Sequence, residues 1–350
     1  MAWYLFSKFL VVEMDCLESK IAMNIRKTLL LLACACPVTS FGQNLSQISH
    51  TLKLSSPANT RDVVSKKPVS EYDYAVTYRY GINMNAFDTT SGYIVDYDLM
   101  RLEIGSNGLT RYYSISADRR DSIMYRARIS TDNRNGVDLD SWMPEGRFAL
   151  YEDTYLNWPE TGKLTVRMGM VKEEFEYTEP IPQMTWQFLN IPPRTVCGYQ
   201  CMAAGTTFRG RQYTVWFTPD IPISAGPWKF SGLPGLILAV DESSGIFSWE
   251  AVGISSDTGN IHLFDPEYDC ITNHVSCGVP LMYIRRITRR QALDLERRRW
   301  ADPFGMIVSS GINVRVTRVT ANGEIVSDEK VSAANREKYV LPEIPALELE

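Results

Sequence analysis

The sequence predicts a mainly β protein: a single antiparallel sheet, curved or rolled into a half-barrel-like meander, with one or two helices. Three observations lead there. Apolar and polar residues alternate with period two, most cleanly at Tyr72, Tyr74, Val76, Tyr78 and Tyr80. Short runs of this kind follow one another with Gly, Pro, Asn or Asp between them. Aromatic residues are abundant, 18 Tyr and 8 Trp among them, and they suit a pleated, half-buried surface. A long meander with few helices can curl into a partly open barrel, and the half-barrel of lipoprotein carriers is an analogous shape.

The elements follow in order. Gln43–Ser70 is polar, carries Pro57 and Pro68 and lacks periodicity, so it reads as a flexible leader. Strands are expected at Tyr72–Ile82, Tyr93–Ile104, Leu109–Ile115, Phe148–Trp158, Leu164–Met170 and Phe175–Thr178. Ala117–Ile129 interrupts them as a helix that Asp118 can cap. Met184–Leu189 and Thr195–Ala203 lead to a strand at Arg211–Thr218. Leu236–Val240 is wholly apolar and reads as a strand buried on both faces, joined to Phe247–Val252 by an acidic, Gly-containing hairpin turn. Val279–Ile287 is a further strand. Thr288–Trp300 reads as a helix opened by a Thr288/Gln291 capping box and stopped at Asp302-Pro303. Asn322-Gly323 marks a hairpin between Ile312–Thr320 and Glu324–Ser327. No composition break divides the chain, so residues 71–332 form one domain and 333–350 a flexible tail.

Between the Arg211 and Leu236 strands lies the stretch on which the chain is organised. Leu233-Pro234-Gly235-Leu236 reads as a type II turn, with proline presetting φ and Gly235 taking a positive φ. Trp216, Trp228 and Phe230 stand near it as candidates to cover one end of the core or to bind a partner. The run Phe208-Arg209-Gly210-Arg211, Trp216-Phe217-Thr218-Pro219, Gly226-Pro227-Trp228-Lys229-Phe230 and Gly232-Leu233-Pro234-Gly235-Leu236-Ile237 resembles the GLPGLI family. That resemblance implies an exported protein of Gram-negative bacteria. It supplies no catalytic or ligand-binding residues.

The N-terminal region reads as a secretory signal. Met23–Lys27 is basic, Thr28–Cys36 is a short apolar run, and Ser40-Phe41-Gly42 offers a cleavage site before Gln43. Residues 1–22 then read as an upstream extension and 23–42 as the signal peptide. Leu31-Leu32-Ala33-Cys34 also resembles a lipobox, which would make Cys34 a lipid anchor. No later apolar run approaches the ~20 residues of a membrane helix. Four cysteines remain beyond the signal: Cys197, Cys201, Cys270 and Cys277. In an oxidising compartment they would form two disulfides, with three possible connectivities. The favoured pairs are Cys270–Cys277 and Cys197–Cys201, the latter needing a turn at Gly198-Tyr199.

The chemistry is sparse. A net charge of −5 argues against general nucleic-acid affinity. His262, Asp265, Glu267, Asp269, Cys270, His274 and Cys277 form the one dense cluster of reactive types. Its Cys-x3-His-x2-Cys core has ligand types that suit zinc, but oxidising compartments favour a disulfide. The calcium-loop pattern from Asp265 lacks its glycine and its final glutamate. No Gly-x-Ser-x-Gly elbow, His-Glu-x-x-His or phosphate loop occurs. Arg285, Arg286, Arg289 and Arg290 begin a basic patch that is either a solvated face or an anion-binding one. The sequence therefore leads to a non-enzymatic, exported envelope protein without cofactor or metal, binding an outer-membrane or other envelope protein, or an apolar ligand. The competing expectation is a secreted hydrolase or metal enzyme with its site near His262–His274.

Overall fold

The structure, a computed structural model, describes residues 11–16, 26–29, 51–52, 66–83, 95–119, 137–138, 152–170, 173–264, 284–302, 312–319, 325–332, 334–335 and 346–350. Its centre is a sheet of twelve strands. In chain order these are β1 (Tyr74–Asn83), β2 (Val95–Ile104), β3 (Thr110–Ser114), β4 (Glu152–Leu156), β5 (Lys163–Met170), β6 (Glu173–Pro180), β7 (Gln187–Val196), β8 (Tyr199–Phe208), β9 (Arg211–Thr218), β10 (Leu236–Glu242), β11 (Phe247–Ser255) and β12 (Ile284–Arg286). In space they run β7-β8-β9-β10-β11-β1-β2-β3-β4-β5-β6-β12. Two meanders, β1–β6 and β7–β11, are thus fused where β11 pairs antiparallel with β1, Trp249 opposite Tyr80.

The single antiparallel sheet expected from the sequence is corrected in one respect. β12 pairs parallel with β6, Glu174 opposite Ile284, so the sheet is mixed. A parallel neighbour cannot arrive through a tight hairpin and needs a long connection, here the whole β7–β11 meander. The outer strands β7 and β12 do not pair with each other, and the sheet stays open.

Local chemistry explains the hairpins. Two residues join β7 to β8, Cys197 at φ 50° and Gly198 at φ 85°, and two join β8 to β9, Arg209 at φ 51° and Gly210 at φ 78°. Positive φ at both central positions gives the turn whose twist matches the strands it joins. β9 alternates buried and less buried positions, while Leu236–Val240 in β10 is buried throughout, as its unbroken apolar run predicts. The Thr288 side chain and Gln291 form the expected capping box, and the helix runs Arg289–Ala301 to Asp302. Residues 115–119 are helical, two residues earlier than expected, and the remainder of that expected helix lies outside the described residues. Ile312–Val319 and Ile325–Val331 pair antiparallel, as the Asn322-Gly323 signal requires. They extend a four-stranded sheet that also holds Val11–Cys16 and Arg26–Leu29.

Two segments expected to be loose are ordered against the sheet region. Lys66–Tyr72 is a strand paired with Gly259–Phe264, because Val69 and Tyr72 pack with Ile261 and Leu263 in a small apolar cluster. Residues 346–350 lie on the β8–β9 hairpin, where the Leu349 N–H donates to the Arg209 carbonyl at 3.0 Å. The expected Cys197–Cys201 disulfide is absent: both are free thiols. The Cys201 side chain is turned into the core, whereas Cys197 sits at the turn and donates to the Ala251 carbonyl at 3.1 Å. Cys270 and Cys277 lie outside the described residues.

The main core lies between the sheet and the segment Pro219–Gly235, which leaves β9 and returns as β10. Its centre is a ring cluster. Trp249 stacks on Tyr80 at 5.0 Å and on Trp228 at 6.2 Å, and Phe230 meets Tyr213 edge-on at 4.9 Å. Offset and edge contacts of this kind add to what burial alone contributes.

Candidate functional site: a buried ionic cluster

The segment Pro219–Gly235 carries a charge into this core. The chain turns tightly after β9, and Gly235 passes so close to Thr218 that an added Cβ would stand 2.2 Å from its carbonyl oxygen. Gly235 does not take the positive φ of the expected type II turn; Gly232 does, at φ 96°. Glycine is required at 235 for close approach rather than for dihedral freedom. Trp228 adopts φ 54°, a strained conformation for a bulky residue. Its ring is held between Trp249, Phe208 and Phe230, which fixes the strained backbone and places Lys229 beside it.

Lys229 is 1% exposed. Its Nζ donates to the Tyr177 hydroxyl at 2.7 Å and ion-pairs with Glu348. Arg289 at the start of the helix approaches the same carboxylate, Nε donating at 2.7 Å and Nη2 lying 2.6 Å away. Arg209 points its Nε at that carboxylate from 3.8 Å, and its Nη2 donates to both Glu179 oxygens at 2.8 Å. Arg211 binds the backbone of the same segment: its Nη2 donates to the Ala346 carbonyl at 2.6 Å and its Nε to the Leu347 carbonyl at 3.1 Å. β4, β6, the β8–β9 hairpin, Pro219–Gly235, the helix and residues 346–350 thus meet at one point.

The charges are coupled. Burial by itself would lower the Lys229 ammonium, but Tyr177, Glu348 and Glu152 together raise it, so it stays a cation at neutral pH. Burial would raise Glu348, and Lys229, Arg289 and Arg209 hold it below the ordinary carboxylate value. Burial pushes Glu152 up to about 7, with Lys229 and a hydrogen bond from Trp228 opposing the rise. A permanently charged lysine is not a nucleophile. The arrangement is a fixed cation clamped on a carboxylate, with one carboxyl beside it that changes state near neutrality.

A second buried pair lies in the first meander. Arg111 Nη2 meets Asp153 at 2.9 Å and Asp118 at 3.2 Å, tying β3, β4 and the helical residues 115–119 together. Its ring partner is Tyr113, with the guanidinium carbon 3.8 Å from the centroid.

Of the residues singled out from the sequence, Trp228 and Arg289 reach the cluster. Phe230 is buried in the core beside it. Trp216 is on the other face of β9, half-buried, with its indole N–H donating to Asp241 and Arg194 over its ring. Arg285, Arg286 and Arg290 are exposed on β12 and the helix. Arg286 lies 3.7 Å from Glu176. In the Gly232–Ile237 signature, Leu233, Leu236 and Ile237 are core residues and Pro234 is exposed. His262 lies in the Gly259–Phe264 strand, where its backbone carbonyl accepts from the Tyr155 hydroxyl at 2.9 Å. Residues 265–283, with the rest of the His262–His274 cluster, lie outside the described residues. Sequence reasoning missed Lys229, Tyr177, Glu152 and Glu348. For Lys229 there was a signal: a lysine between Trp228 and Phe230 in a run, residues 221–240, that is otherwise uncharged.

Residues 206–239 match a family described as "Protein of unknown function (Porph_ging)". The match spans β9, the segment that carries Lys229 and the start of β10. No curated protein matches the chain. Two solved structures of PNGF-II, in P21 and C2 space groups, are similar at TM-scores of 0.39 and 0.38, with 13% and 12% identity. Each likeness covers 65% of this chain and 33% or 32% of the other, so the chain spans about a third of their length. A LolA superfamily protein from Nitrosomonas europaea is similar at a TM-score of 0.20 and 10% identity, over 62% of this chain and 96% of that one. Likenesses this slight assign neither fold nor function.

Proposed function

We propose that the chain is an exported, envelope-associated, non-enzymatic protein of the GLPGLI type that binds a protein partner at the β7–β8 edge of its sheet. One observation carries the binding reading. Phe188 on β7 is 63% exposed and Met202 on β8 is 46% exposed, and both lie on the sheet face that holds the core. Phe188 stands opposite Ala204, two residues from Met202, with its ring 6.0 Å from the buried Phe217. The core thus continues into solvent at this edge, with Ile191 a further exposed apolar residue on β7. An apolar surface contiguous with the core is where a partner gains most from docking. Pro192 and Pro193, beside a break in register, withhold two backbone donors at the middle of the edge, which favours side-chain docking over strand addition. The face of the sheet that would hold an apolar ligand carries Trp228 and Phe230 of the chain itself, which favours the protein partner. Export rests on the basic, apolar and small-residue order of residues 23–42.

A photo-crosslinking residue at position 188, in cells of the native host, tests the binding reading. A discrete adduct, missing when the crosslinker is placed at the exposed Ser244 instead and lost with Met202→Ser, is the expected result. Equal, diffuse labelling from both positions would end it. Intact mass of the envelope protein tests export, with Gln43 as the expected first residue or an acylated Cys34 in the lipid-anchored form.

A further inference from the structure

The Lys229 cluster is built like a receptor for an acidic peptide, and residues 346–350 sit in it as a ligand would. Arg211 reads two consecutive backbone carbonyls, Ala346 and Leu347, with the planar donor fork that suits such recognition. Lys229 and Arg289 hold the Glu348 carboxylate. Leu347 packs against the main core. Gly210 is the floor under Leu349, leaving no room for a Cβ, which would stand 2.8 Å from the Leu349 Cβ. One backbone hydrogen bond, Leu349 N–H to the Arg209 carbonyl, aligns the segment with the hairpin. The receptor side is made of Tyr177, Arg209, Arg211, Lys229 and Arg289, and the occupant comes from further along the chain than the helix.

We propose that Arg209, Arg211, Lys229 and Arg289 form a binding site for an acidic peptide of the type apolar–Glu–apolar, and that residues 346–350 fill it in cis and can be displaced. The buried Lys229 demands an anion whichever chain provides it, since a charge left unpaired in the core is strongly destabilising. Charge-assisted contacts to one carboxylate supply the selection for Glu, and Arg211 supplies selection for extended backbone. This site is separate from the Phe188–Met202 edge, so each proposal can fail without the other.

The test uses the chain with a protease site placed between residues 336 and 345, cut after folding, and a fluorescent Ala-Leu-Glu-Leu-Glu peptide. Anisotropy should show saturable binding that unlabelled peptide competes away. Replacing the central Glu of the peptide by Gln should weaken binding at least tenfold, and Arg289→Gln in the chain should do the same. Uncut Glu348→Gln should elute as a monomer on gel filtration and take up the peptide at least tenfold more tightly than the uncut parent. Unfolding of the cut chain would make the segment part of the core and overturn the proposal. So would a folded Glu348→Gln chain that binds no better than the parent, a Gln peptide that binds equally well, or a parent dimer that Glu348→Gln dissolves.

Discussion

Lys229 and Glu348 are 119 residues apart in the chain and form one ion pair in its interior. Both are buried, and Lys229 depends on Glu348 more than the reverse, because Arg289 and Arg209 also face that carboxylate. Glu348→Leu alone should therefore cost about 3–5 kcal/mol, because it leaves the buried Lys229 ammonium without its carboxylate. The double variant Lys229→Met, Glu348→Leu should recover much of that. Urea titrations of the two singles and the double measure the coupling, and strictly additive losses would contradict it.

The neighbouring carboxyl gives the protein a pH dependence of unusual sign. Glu152 is pushed up to about 7 from an ordinary value of 4.5, chiefly by burial. The folded state then binds its proton more tightly than the unfolded chain does. Its contribution is greatest below pH 4.5 and is lost as pH rises to about 7. The residue is only partly buried, so a loss of about 1–3 kcal/mol across that interval is expected. Glu348 has the opposite sense and acts only below the interval. Glu152→Gln should flatten the profile of denaturation midpoint against pH; an unchanged profile would assign the slope elsewhere.

Gly235→Ala should destabilise the protein by about 1–3 kcal/mol or more, because the new methyl meets the Thr218 backbone rather than a side chain that can move aside. Gly253→Ala, where nothing stands within 4 Å, is the matched control and should change thermal stability by less than about 0.5 kcal/mol.

Cys197 and Cys201 should differ in reactivity. Burial pushes the Cys201 thiol up to about 11, whereas Cys197 is exposed at its turn. Iodoacetamide at pH 8, followed by peptide mapping, should label Cys197 in the folded protein and Cys201 only after denaturation. Equal rates at the two would show that the β7–β8 hairpin opens readily.

Most strands were legible because their side chains repeat every second residue, and Leu236–Val240 announced itself by having no polar position at all. Thr288 and Gln291 marked the helix start in the same local way. The β7–β8 turn falls within the expected Thr195–Ala203 run and followed from the sequence only as a condition of a Cys197–Cys201 bond, since Cys197 is not a residue type that signals a positive φ. The parallel β6–β12 pairing has no local signal, because both strands read alike whichever direction their neighbour runs. Residues 346–350 read as frayed from their composition. Their anchorage depends on Lys229 and Arg289, whose approach is a property of the fold. Lys229 itself was visible as a misplaced charge, yet its partner was not.

The parallel register of β6 with β12 also sets an order of assembly. Each strand of the two meanders can zip onto its predecessor as the chain emerges, but β12 must wait until the chain has run from Glu174 round to Ile284. Closing so long a loop is entropically slow, so this edge should be among the last parts to form. Arg289 follows β12 directly, and Glu348 lies further on still. The ionic cluster is therefore completed late, and until then Lys229 must remain solvated or poorly packed. A nascent or truncated chain would keep that corner open and be exposed to proteases there, whereas the finished chain seals it.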